Sequence, residues 1–180
     1  MDKQKIGKIV GEKIYLRPVA MSDVTERYCS WLNDPEVNKY LETRSCNMDE
    51  LREYVREKTE DPDILFCGIF DKETDIHIGN VKLEPIDWAN KKTVFGIMIG
   101  DREYWGKGLG TEATRLISDY ALNELGMNEV ELGVITDNIK ASKAYERAGF
   151  KQIQFNPKSI NHDGIFYDEI VMVKNKETKA

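Results

Sequence analysis

The spacing of apolar positions switches between strand-like and helix-like periods along the chain. From Lys13 to Val19 (KIYLRPV) apolar and polar residues alternate, predicting a strand that ends beside Arg17-Pro18. Val24, Tyr28, Trp31 and Leu32 then recur at helical spacing, with Ser22 placed to cap the helix and Asn33-Asp34-Pro35 to stop it. A short helical turn is expected from Pro35, where a missing N–H does no harm. Asn47 followed by Glu50 forms a capping box, and Leu51, Tyr54 and Val55 continue the helical period toward Asp61-Pro62-Asp63. The pattern then turns to strands at Ile64 to Phe70, Ile76 to Leu83 and Thr93 to Ile99. A polar turn at Asp71 to Asp75 and a loop from Glu84 to Lys92 join them as an antiparallel meander. Thr111 to Leu125 places Ala113, Leu116, Ile117, Tyr120, Ala121 and Leu125 on one helical face, and Gly126 ends it. A strand (Glu129 to Ile135), a helix (Ile139 to Ala148, capped by Gly149) and two strands (Lys151 to Phe155, Ile165 to Val173) complete the chain. The fold class is α/β in an α+β arrangement, a central mixed sheet with helices on both faces.

Bulk properties narrow the function more than the fold. The chain has 180 residues, 41% hydrophobic and 32% charged, which suits a single domain over residues 1–180 with flexible ends at 1–11 and 175–180. Met1-Asp2-Lys3-Gln4-Lys5-Ile6 lacks the apolar stretch of a signal peptide, and no membrane-length apolar run follows, so a cytoplasmic location and no membrane partner are expected. Cys29, Cys46 and Cys67 have no metal-site spacing and only His77 and His162 could supply imidazole, so no metal is expected. A net charge of -6 disfavours a nucleic-acid partner and suits an amine.

The segment richest in chemistry is Tyr104-Trp105-Gly106-Lys107-Gly108-Leu109-Gly110-Thr111, between a strand and an amphipathic helix. Glycines let several backbone N–H groups converge, and the helix N-terminus adds partial positive charge, so the combination makes an anion site suited to a pyrophosphate. A tight surface turn is the plainer alternative. The G-x-G-x-G spacing is neither the dinucleotide-binding G-x-G-x-x-G nor a P-loop, and the antiparallel meander before it argues against a doubly wound sheet.

This loop resembles motif A (Q/R-x-x-G-x-G/A) of the GNAT N-acetyltransferase superfamily, with Trp105 in the first position as in the branch related to ribosomal-protein N-terminal acetyltransferases. Asn138 to Phe150 (NIKASKAYERAGF) resembles motif B, and Tyr15-Leu16-Arg17-Pro18, Trp31 to Val37 and Asn161-His162-Asp163-Gly164 resemble other parts of that branch. The resemblance implies a twisted, mostly antiparallel sheet of about seven strands with a splayed cofactor cleft. It also implies acetyl-CoA as acetyl donor, held by Trp105, Gly106, Lys107, Gly108, Leu109, Gly110 and Thr111, by the strand edge at Met98 and Ile99, and by Asn138. Tyr145 would protonate the departing sulfur, although packing of Tyr145 with Ala141, Ala144 and Ala148, and capping by Asn138, are the plainer readings of those residues.

Where many relatives carry a glutamate general base, this chain has Val94, aligned on Gly96, so the proton leaves through water or through another carboxylate; Glu84 and Asp87 are the candidates, with surface solvation the plainer reading of each. The amine acceptor is read first as an amino group on a nucleotide-linked sugar, with protein or peptide N-termini and polyamines as alternatives. A non-catalytic acyl-CoA sensor is the reading from a different class. The resemblance also carries the expectation of a homodimer; ligand-induced ordering is expected over Lys39 to Asn47, a polar segment between the first helices where the acceptor should enter.

Overall fold

The computed structural model describes residues 6–42, 45–162 and 164–177; the extreme ends, Asp163 and two positions of the segment from Lys39 to Asn47 lie outside them. Strand β1 (Ile9–Val10) turns at Gly11 into β2 (Ile14–Pro18). Helices α1 (Glu26–Leu32), α2 (Pro35–Asn38) and α3 (Met48–Glu60) follow, then the meander β3 (Leu65–Asp71), β4 (His77–Asp87) and β5 (Lys92–Ile99). The chain continues through α4 (Leu109–Asn123), β6 (Glu129–Ile135) and α5 (Ile139–Arg147) to the closing strands β7 (Lys151–His162) and β8 (Ile165–Asn175). The strands form one sheet in the order β1-β2-β3-β4-β5-β6-β8-β7. Only the β5–β6 pair is parallel; every other neighbour is antiparallel.

Strand alternation sorts the core into two layers. Leu65, Cys67 and Ile69 of β3 point to the face covered by α4, where they pack with Ala113, Ile117 and Ala121. Phe66, between them, points to the other face and packs with Tyr28, Leu51 and Val55 of α1 and α3. Covering both faces explains why six consecutive residues of β3, Leu65 to Phe70, are buried.

Several boundaries depart from the periodicity for identifiable reasons. Thr25, not Ser22, caps α1, accepting the Tyr28 N–H at 3.2 Å, while Ser22 lies in a separate 3-10 turn at Met21–Asp23. β4 runs on to Asp87 because a register shift between Leu83 and Ile86 accommodates Pro85. β7 likewise continues past Pro157 through a shift between Asn156 and Ile160, which makes the closing hairpin longer than its alternation suggests. β1, only two residues long, brings the sheet to eight strands. The capping box holds as expected, with Asn47 accepting from the Asp49 and Glu50 N–H groups and Glu50 accepting from the Asn47 N–H.

Candidate active site

The site begins where two parallel strands part. β5 and β6 pair at Lys92–Glu129, Thr93–Val130 and Val94–Glu131; from Phe95 to Ile99 no strand among the described residues lies beside the β6-facing edge of β5. On its other side β5 stays bound to β4 as far as Gly79–Ile99, and the Gly100 N–H donates to the Ile78 carbonyl at 2.9 Å. Because N–H and C=O directions alternate along a strand, Met98 shares the β4-facing side with Gly100, and Ile97 and Ile99 turn theirs to the opening. The Ile99 carbonyl confirms this orientation by accepting the Trp105 indole N–H at 2.8 Å. Of the expected pair, Ile99 therefore presents its backbone to the opening and Met98 does not. Ile97 is the edge residue that sequence reasoning missed; only the β4–β5 register identifies it.

The opening runs into the glycine loop. Gly106 and Gly108 have φ of 74° and 83°, a region that costs an L side chain about 1 kcal/mol or more. An added Cβ at either would meet nothing within 4 Å, so glycine is required there by backbone conformation, over open space. Gly108 is the N-cap of α4 and has no side chain to satisfy the first turn. The first bond of the helix runs from the Glu112 N–H to the Gly108 carbonyl, which leaves the N–H groups of Leu109, Gly110 and Thr111 outside the ladder. Glu112 does not neutralise this end, because its Oε1 accepts the Lys13 N–H at 3.0 Å and the Ile14 N–H at 3.4 Å. Trp105 ties the loop to β5, and exposed Lys107 lies 4.9 Å from the centre of the Tyr104 ring. Unpaired donors and the positive end of a 15-residue helix thus follow directly on the open strand edge, with exposed Lys107 in the same loop. This donor set fits a pyrophosphate, and the strand edge fits a chain of amides.

Tyr145 stands at the fork. Its ring meets Phe95, the first residue past the last paired position, edge-on at 5.9 Å, and lies 6.4 Å from Phe150. Burial pushes its phenol up to about 12. Its hydroxyl has no hydrogen-bond partner among the described residues. Asn138 caps α5 through its Oδ1, accepting the Ala141 N–H at 3.3 Å, which leaves its amide N–H groups as the donors available to a guest.

The two carboxylates expected to replace the general base are engaged elsewhere. Asp87 pairs with Lys92 in the β4–β5 register, at the closed end of β5, seven residues from Ile99 and roughly 23 Å along an extended chain. It accepts from the Asn90 N–H and side chain at 2.9 and 2.7 Å, and these bonds hold its pKa below the ordinary value. Glu84 is level with the fork but held between Lys58 and Lys82, the latter at 2.7 Å. Burial works against its charge, and the two lysines outweigh it, lowering the pKa. A carboxylate held in this way is a weak base.

On the α1 side, the far end of the opening has an aromatic and cationic rim. The Tyr40 hydroxyl donates to the Asp137 carbonyl at 3.3 Å, joining the segment after α2 to the turn before Asn138. The Lys39 ammonium lies 5.1 Å over the Tyr40 ring and within electrostatic reach of the Tyr167 hydroxyl, and the Tyr167 ring is 5.7 Å from His162. At the opposite end of α3, a cavity of about 610 Å³ is lined by Glu57, Glu60, Asp61, Asp63, Lys58 and Glu84. Among the described residues no helix is long and apolar enough to cross a membrane.

Comparison with known proteins agrees with this geometry. The family model described as "Acetyltransferase (GNAT) domain" matches residues 13–151. The chain is 29% identical over 171 residues to the probable N-acetyltransferase YjcK of Bacillus subtilis, covering 90% of this chain and 93% of that one. Spermidine N-acetyltransferase from Vibrio cholerae, solved in complex with CoA and spermine, superimposes with a TM-score of 0.84 at 23% identity, over 92% of this chain and 97% of that one. The microcin C7 self-immunity acetyltransferase MccE, solved with acetyl-CoA and AMP, gives 0.79 at 24% identity, over 92% and 93%. At these identities the two structures speak for the fold.

Proposed function

The chain belongs to the acetyltransferase (GNAT) family and is an acyltransferase; from that premise we propose that it moves an acetyl group from acetyl-CoA to the amino group of a nucleotide-linked sugar. The observation that carries the donor half is the parting of β5 from β6 beyond Val94, leading into the Gly106–Gly108 loop at the start of α4. In this reading the N–H groups of Trp105 to Thr111 and the Lys107 ammonium take the pyrophosphate. The edge of Ile97 and Ile99 and the Asn138 amide hold the pantetheine arm. Acetyl-CoA supplies an activated thioester whose thiolate leaves when an amine nitrogen attacks. Tyr145, a phenol protonated at neutral pH and kept further from ionising by burial, is the proton donor to that sulfur. Holding amine and thioester together at the fork supplies much of the acceleration by itself.

The acceptor half rests on the rim. Tyr40, Tyr167 and His162 offer faces for a base or sugar, and Lys39 offers charge for a phosphate. A polyamine is the second reading, favoured by the carboxylate-lined cavity beyond α3, which shares Glu84 with the fork level of the sheet. The test is release of free thiol from acetyl-CoA with 4-amino and 3-amino sugar nucleotides, short peptides with free N-termini, and spermidine. Release with an amino sugar nucleotide is the expected result. Release with spermidine or a peptide alone replaces the acceptor, and acetyl-CoA binding without release to any amine replaces the transferase reading with that of a sensor.

A further inference from the structure

Before its lone pair can attack, an ammonium with pKa ~10 must lose a proton at neutral pH, and neither Glu84 nor Asp87 is placed and free to take it. The β5–β6 register points to a third carboxylate. Val94 and Glu131 are side by side at the last paired position of the fork. Phe95 and Leu132, the next residues on each strand, belong to the core under α4, so Val94 and Glu131 both face the opposite side of the sheet. Glu131 is half-buried, and no hydrogen bond or ion pair engages it among the described residues. Its charged surroundings on the strands beside it are Lys92, which is paired with Glu129, and Glu169, which accepts from Asn156 at 3.0 Å and Ser159 at 3.3 Å. An unpaired carboxylate at the fork, on the face away from the α4 core, meets the requirement that Val94 leaves open.

We propose that Glu131 is the general base, doing from β6 what position 94 of β5 cannot. This rests on the transferase reading above. Glu131 takes one proton from the acceptor ammonium; the C–N bond forms as the C–S bond breaks, and the sulfur takes the Tyr145 proton. The nascent amide nitrogen returns a proton to the Tyr145 oxygen, and Glu131 releases its own to water. The balance is one ammonium and one thioester giving one amide, one thiol and one proton.

The experiment uses the full chain, acetyl-CoA and whichever amine of the panel elicits thiol release from the wild type, so that failure of the transferase reading appears first and separately. Glu131→Gln is expected to lower kcat on the order of 100-fold while acetyl-CoA affinity, measured by calorimetry, stays unchanged. Adding Val94→Glu to Glu131→Gln, which returns a carboxylate to the other strand of the same pair, is expected to recover at least about tenfold. A kcat within about twofold of wild type in Glu131→Gln, or a loss that Val94→Glu does not recover, overturns the assignment.

Discussion

Tyr145 keeps its proton across the pH range in which an acetyltransferase would be assayed. Burial against Phe95 and Phe150 disfavours the phenolate, so below about 12 the hydroxyl is a donor. Tyr145→Phe keeps the ring contacts and removes only that proton. Its kcat should fall on the order of 100-fold with acetyl-CoA affinity unchanged, as read by steady-state thiol release and by calorimetry. An unchanged kcat would remove Tyr145 from the chemistry. At this scale the sequence was informative wherever function rests on residue type in a local pattern: Gly106, Gly108, Asn138 and Tyr145 are all brought to one opening. It was blind to the general base. Lys58, which neutralises Glu84, lies 26 positions away in the chain, and the adjacency of Glu131 to Val94 exists only through a parallel register.

Elements were legible in proportion to the locality of their signals. The capping box of α3 and the apolar stripe of α4 need only neighbouring residues, and both formed where the pattern places them. The extensions of β4 and β7 past Pro85 and Pro157 did not show in the alternation, because a bulge lets a proline sit in a strand without breaking it. The α3 cap carries a measurable prediction. Asn47 accepts two backbone N–H groups at the start of the helix that packs Leu51 and Val55 into the α1-side core. Asn47→Ala should cost about 1 kcal/mol, seen as a lower midpoint in urea with an unchanged slope. A change below a few tenths would mean that α3 is held by packing alone.

For the whole molecule, acid is the informative stress. Asp23 is buried, which by itself raises its pKa, but two bonds at 2.7 Å from Arg17 and one at 2.8 Å from the Ala20 N–H bring the net below the ordinary aspartate value. His77 is half-buried between Trp31 and Phe70, and that partial burial lowers its pKa below 6.5 despite bonds to Asn80 and Gly79. Both shifts have the same sign for stability. A depressed pKa contributes stability that is present above the unfolded value and lost as pH falls through the folded one. The melting temperature should therefore decline in two stages on acidification, the first below pH 6.5 as His77 charges and the second below pH 3.8 as Asp23 protonates. His77→Gln should flatten the first stage and leave the second. A melting curve independent of pH between 7 and 5 in the wild type would contradict the half-buried neutral state of His77.

Under the proposed function, the opening between β5 and β6, closed off by the glycine loop, holds acetyl-CoA. Calorimetric titration of acetyl-CoA into the wild type and into Gly108→Val tests it most directly. The valine is disfavoured at φ 83° and places a side chain over the first turn of α4, while touching no core residue. One molecule should bind per wild-type chain, and affinity should fall at least about tenfold in Gly108→Val, beyond the drop of a few degrees in melting temperature that about 1 kcal/mol of backbone strain brings. No binding to the wild type, or equal affinity in a folded Gly108→Val protein, would contradict it.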